Sequence, residues 1–218
     1  MNQALAQADH HNNRSWQTGP DPIVLADVLS EKNSVTVWQR PINSDIQAYF
    51  LAVFDELGMG FRSVLNMQTM RDSLQDLLPQ APGKEQTVED IYLLSDMLTY
   101  LFDCEEVGFR LICLNKAMCP RFHVDNIPIR LVTTYCGPGT EWLPNEFAQH
   151  GNLGHAAEGL SDQETGLYSD EAHVQQMQSF DVGLLKGTTW DEQHFPAIHR
   201  SCALQGEQRR VLLTLDPI

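Results

Sequence analysis

From Val107 to the end of the chain, short β-prone runs follow one another with turn residues between them. Residues 109–114, 129–136, 141–143, 174–177, 181–185 and 209–215 carry branched and aromatic side chains at strand length, and none of them reaches helical length. Such spacing predicts a β core of the barrel or jelly-roll kind. Between them, residues 144–172 are rich in Gly, Asn and acids without a clear period, and read as a loop or lid over that core.

The first half has a different period. Asn43 or Ser44 caps an expected helix through about Glu56, with Ile46, Phe50, Val53, Phe54 and Leu57 forming one apolar stripe. A strand over 61–67 and a helix over 69–78 follow, then a breaker stretch from Pro79 to Gly83. Thr87, with Asp90 three residues on, reads as a capping box that opens a helix to about Phe102, burying Ile91, Leu94, Leu98, Leu101 and Phe102. Residues 23–25 and 34–38 read as extended. The expected architecture is therefore α+β in a single domain over 21–218: mainly helical support in 21–106 and the β core in 107–218. The polar residues 1–20, ending in Gly19-Pro20, read as a poorly ordered tail.

Composition removes several functions. A net charge of −15 argues against unspecific nucleic-acid binding, which needs clustered Lys and Arg. No run approaches the roughly 18 apolar residues of a membrane span, and the first residues lack a basic and an apolar leader region, so neither anchoring nor export is expected. Five Cys without a Cys-x-x-Cys pair fit small buried residues of a cytoplasmic protein better than a disulfide framework. Oligomeric state is left open by the sequence.

The chemistry concentrates in Cys119-Pro120-Arg121-Phe122-His123-Val124-Asp125-Asn126. On a strand, His123 and Asp125 share one face while Phe122 and Val124 take the other, apolar one. A metal site would then need one more ligand, and His199 offers it. Considered singly, a strand His and an Asp before Asn126-Ile127-Pro128 are structural residues, the second a hairpin cap. His150 and His155 are rival imidazoles in the long loop, and His194 is the strongest competitor to His199. In the last strand Arg210, Leu212 and Thr214 share a mixed face, whereas Arg209, Val211, Leu213 and Leu215 share an almost wholly apolar one.

The order His-x-Asp, distal His, then Arg resembles the iron(II)- and 2-oxoglutarate-dependent dioxygenases, whose two His and one carboxylate form a facial triad on a double-stranded β-helix. The segments 123–126, 130–135 and 210–214 look closest to prolyl-hydroxylase-like members. The whole chain also resembles a bacterial family known as a domain of unknown function, through Cys-Pro-Arg-Phe-His-Val-Asp, Thr-Tyr-Cys-Gly-Pro-Gly-Thr-Glu-Trp and His-Arg-Ser. The dioxygenase resemblance implies a cupin-like jelly roll, His123, Asp125 and His199 as iron(II) ligands, and Arg210 with Thr214 or Tyr135 on the far carboxylate of 2-oxoglutarate. It implies hydroxylation of an unidentified small molecule or protein. Arg130, Trp142 and Glu141 are then candidates for substrate contact at the mouth. The alternative is a non-enzymatic module that holds zinc or iron on the same three residues.

Overall fold

The computed structural model describes residues 14–116, 118, 120–154, 160–191 and 195–218. Expectations for residues 1–13, and for His155 and His194 as rival ligands, fall outside the described residues. Among the described residues ten strands form two sheets: β1 (Trp16–Gly19), β2 (Val35–Trp38), β3 (Gly60–Asn66), β4 (Glu106–Leu114), β5 (Ile129–Cys136), β6 (Glu141–Leu143), β7 (Gln175–Gln176), β8 (Val182–Lys186), β9 (Ile198–Arg200) and β10 (Arg210–Pro217). The large sheet has the order β1-β2-β8-β5-β10-β4-β3 and the small one β7-β6-β9. All neighbours run antiparallel except β1 with β2.

Three helices, α1 (Ser44–Leu57), α2 (Met70–Leu77) and α3 (Lys84–Phe102), cover one face of the large sheet. The alternation of side chains decides what they meet. Leu111 of β4, Leu131 and Tyr135 of β5, and Val211, Leu213 and Leu215 of β10 join Ile46, Phe50, Ile91 and Leu94 in one buried cluster. The opposite face of the same sheet presents Val35, Val37, Val132 and Leu185, which pack with Trp142 and Met177 from the small-sheet side. The sequence-expected mixed α and β content is therefore what the chain adopts, with a large antiparallel sheet at its centre.

The starts of α1 and α3 are fastened to each other. Asn43 caps α1 by accepting from the Asp45 and Ile46 amides. Gly83, at φ +92°, precedes α3, and a Cβ there would lie 2.5 Å from the Asp45 carbonyl oxygen, so only glycine fits. This corrects the expected capping box: α3 begins at Lys84, and Thr87 lies inside it, donating its hydroxyl to the Gly83 carbonyl. Asp90 is spent elsewhere, on Arg40 and Tyr135.

Two further expectations change. Residues 16–19, read as part of the tail, form a strand because β2 supplies a parallel partner and Trp16 packs edge-on against Trp142. Residues 23–25, read as extended, lie in a 3-10 helix, Pro22–Leu29. Pro22 opens it and the Asp21 carboxylate accepts from the Ile23 amide, so local capping outweighs the β-prone run. Within the long loop, Leu167 and Tyr168 are buried against Phe122, and the Asp162 carboxylate accepts from the Phe122 amide and from Arg121 Nε. The loop thereby pins the segment that carries His123.

Candidate metal centre

The segment around His123 is not a full strand. It makes one antiparallel bridge, in which the His123 amide donates to the His199 carbonyl and the His199 amide to the His123 carbonyl, each at 3.0 Å. This puts the two imidazoles side by side, ring centres 4.5 Å apart. Alternation does the rest: Phe122 and Val124 enter the apolar cluster behind the small sheet, while His123 and Asp125 turn to the other side.

Both rings are oriented by the backbone. Nδ1 of His123 lies 3.0 Å from the Arg121 carbonyl and Nδ1 of His199 lies 3.1 Å from the Ala197 carbonyl. A carbonyl only accepts, so each ring keeps a proton on Nδ1, and a ring without a second proton offers its Nε2 lone pair. The Nε2 atoms face Asp125, at 3.7 Å from Oδ1 for His123 and 3.5 Å from Oδ2 for His199. One donor atom from each of the three residues falls within 4.8 Å of the others, the only such grouping of three or more His, Cys, Asp or Glu among the described residues. Burial, and then the neighbouring His199, push the His123 pKa down, which favours the unprotonated ring a metal needs. Burial raises the Asp125 pKa, but His199 and Arg130 overcome it and hold the carboxyl at about 2.

Arg130 is committed to carboxylates rather than free at a mouth. Its Nε and Nη2 grip Asp216 of β10 at 2.7 Å each, and its Nη1 reaches Asp125 at 2.6 Å. It lines the cavity, and it also fixes the rotation of the Asp125 carboxylate.

Arg210 is 1% exposed and has no carboxylate partner among the described residues. Its Nη1 donates to Ser201 Oγ at 2.8 Å, its Nη2 to Thr140 Oγ1 at 2.9 Å and Thr134 Oγ1 at 3.3 Å, and its Nε has no partner among them. Burial lowers its pKa. Three hydroxyls solvate the cation without neutralising it, a setting in which an anion would be held strongly. A cavity of about 130 Å³ connects it to the three-residue cluster, with Thr214 and Leu212 on the same wall.

Three expected site residues lie elsewhere. Tyr135 points to the helix side of β5, fully buried, and donates to Asp90 at 2.8 Å. It occupies an irregularity where Cys136 pairs with Val211 and Thr134 with Leu212, which leaves Tyr135 as the extra residue of a bulge. Trp142 is buried between the sheets. Glu141 accepts from Arg200 Nε at 2.6 Å beside the cavity. His150 stacks on Phe195, ring centres 4.2 Å apart, away from the cluster. The hydroxyls of Thr134, Thr140 and Ser201 were missed. Thr134 shares the face of Arg130 and could have been found from strand alternation, whereas Thr140 carries no sequence signal.

The family described as "Protein of unknown function (DUF1826)" matches residues 19–216. The chain belongs to this family. No curated protein matches the DUF1826 chain in sequence. Its fold is similar to that of a dioxygenase for auxin oxidation from Arabidopsis thaliana, solved as a 2-oxoglutarate complex, with TM-score 0.53, 10% identity, and coverage of 94% of this chain and 92% of that one. It is similar too to the rice dioxygenase for auxin oxidation, with TM-score 0.50, 12% identity, and coverage of 89% and 76%. A Pseudomonas putida prolyl-4-hydroxylase also matches, with TM-score 0.46, 11% identity, and coverage of 89% and 91%. The DUF1826 chain is thus dioxygenase-like in fold. Among its described residues no helix is long and apolar enough to cross a membrane.

Proposed function

We infer that the protein is an iron(II)- and 2-oxoglutarate-dependent oxygenase on a double-stranded β-helix, hydroxylating a C–H bond of its substrate. The observation that carries this reading is Arg210: a buried guanidinium, held among the described residues only by hydroxyls, that opens on the same cavity as the His123, Asp125 and His199 cluster. The donor set suits iron(II), two imidazole nitrogens and one carboxylate with open positions left over. The same set takes zinc readily, but a storage or sensing site has no use for an unpaired buried Arg beside it.

His123 and His199 would hold the metal through Nε2, and Asp125 through a carboxylate oxygen. Bound iron(II) would supply the centre at which oxygen decarboxylates 2-oxoglutarate to succinate and oxidises the substrate. Arg210 would bind the far carboxylate of 2-oxoglutarate with its planar fork, and Thr214 would add a hydroxyl donor. Arg130, gripping Asp216, keeps Asp125 from swinging away from the two imidazoles. Leu212 and Val132 keep water from the wall between metal and cosubstrate.

The test is succinate production by purified, iron-reconstituted protein given 2-oxoglutarate and oxygen. Slow uncoupled succinate formation is expected, dependent on iron and absent in His199→Ala. No succinate, together with no change in the anaerobic iron spectrum on adding 2-oxoglutarate, would leave the zinc or iron module as the better reading.

A further inference from the structure

The chain has ten arginines, and six of them ion-pair with acids: Arg40, Arg71, Arg121, Arg130, Arg200 and Arg209. Of the other four, Arg14 stacks over Trp16. The remaining three, Arg62, Arg110 and Arg210, line two adjoining hollows that share Arg110. Arg110 lines both the cavity of the candidate metal centre and an adjoining groove of about 480 Å³ that also holds Arg62 and Lys116. Among the described residues Arg62 and Lys116 have no hydrogen-bond or ion-pair partner, and Arg110 has only the Met118 sulfur at 3.5 Å. In a chain with 29 acids against 14 bases, a groove with three unneutralised cations and no acid in its lining is not a solubilising surface.

Register sharpens the point. Arg62 of β3 sits directly opposite Arg110 of β4, and Arg110 directly opposite Thr214 of β10. Like charges placed opposite each other on one sheet face destabilise the pair. The row Arg62, Arg110, Thr214 leads from the sheet edge into the cavity, at about 4.8 Å per strand. Arg210 is four residues from Thr214 along β10, about 13 Å away. Arg62 lines the groove and not the cavity that Arg210 lines, so the Arg62 and Arg110 pair opens on the groove rather than on the Arg210 floor. Between the charges and the metal cluster the wall is apolar, formed by Ile112, Met118 and Leu212.

We propose that the substrate is an organic anion, bearing a carboxylate or phosphate held by Arg62, Arg110 and Lys116 while its apolar part lies along Ile112 and Met118 toward the metal centre. This rests on the oxygenase reading for what happens to the substrate, but not for the binding itself. The two guanidiniums have no acid partner among the described residues and repel each other, and the anion relieves the repulsion.

The probes are hexanoate, hexyl phosphate, neutral hexanamide and hexylammonium, titrated at low salt and followed by backbone amide NMR. Wild type and Arg210→Ala are both titrated, so that capture at Arg210 is separated from capture at the groove. At least one of the two anions should bind in both proteins, shifting amides of β3 and β4, with hexanamide and hexylammonium at least tenfold weaker. Whichever anion binds tighter names the head group. Arg62→Gln/Arg110→Gln should weaken anion binding at least tenfold and raise the melting midpoint of the free protein, and Arg62→Gln alone should move 2-oxoglutarate affinity less than about threefold. Equal binding of the amide, equal binding by the double variant, or no binding of either anion would overturn the proposal. Failure of wild type to bind 2-oxoglutarate would instead count against the oxygenase reading and leave the groove result standing.

Discussion

The two faces of the large sheet are made by the same strands and do opposite work. On the helix side, Leu131, Leu213 and Leu215 are buried in the main core, and the Tyr135 hydroxyl there donates to Asp90. On the other side, Arg130, Arg210 and Thr214 alternate with those residues and face a cavity, and Arg210 is left without a counter-charge among the described residues. One face spends its residues on stability and the other carries unsatisfied charge that a ligand would complete. Substitutions should separate the two.

The largest effect is expected on the helix side. Leu213→Ala removes a fully buried side chain and should cost about 2–5 kcal/mol of stability in denaturant unfolding. Metal stoichiometry per folded molecule should stay at the wild-type value. Loss of metal without loss of stability would break the division between the faces. Tyr135→Phe comes next. It leaves a half-buried Asp90 oxygen short of one donor, with Arg40 still on the carboxylate, at a cost of about 1–3 kcal/mol. Because the hydroxyl never reaches the cavity, 2-oxoglutarate affinity should not move, and a tenfold loss would restore Tyr135 to the site.

The smallest effect is a pH dependence of the metal-free protein. His123 is shifted down from its ordinary 6.5 in the folded state, so the unfolded chain binds the proton more readily and stability declines as pH falls below that value. Asp125 is shifted down to about 2, so its contribution is complete above the ordinary 3.8 and is lost as pH falls toward 2. Both signs agree: acid weakens the cavity face. Melting midpoints across this range should show His123→Asn flattening the upper step, and an unchanged upper step in that variant would assign it to another group.

How much of this was legible in the sequence depended on whether a feature was local. The faces of β10 follow from a period of two, so Arg210 and Thr214 could be separated from Arg209 without a partner strand; Arg209 in the structure turns outward to Asp55. The same rule, applied to β5, sets Arg130 and Tyr135 on opposite faces, and the bulge at Tyr135 does not return it to the cavity. Trp142 read as a mouth residue because nothing local reveals that Trp16 and β2 bury it. The pairing of Arg62 with Arg110, the Asp162 hold on Phe122 and the strand at Trp16–Gly19 all depend on partners far along the chain, which periodicity does not contain.

The central claim, that the cavity face holds 2-oxoglutarate through Arg210 beside a His123, Asp125 and His199 metal centre, is tested most directly by one titration. Wild type, Arg210→Ala and Arg209→Ala are loaded anaerobically with iron(II) and titrated with 2-oxoglutarate. Loss of the buried guanidinium should weaken binding on the order of a hundredfold or more, at about 1.4 kcal/mol per tenfold, and loss of the exposed Arg209 by less than about tenfold. Equal affinities in wild type and Arg210→Ala, or a larger loss in Arg209→Ala, would contradict the account.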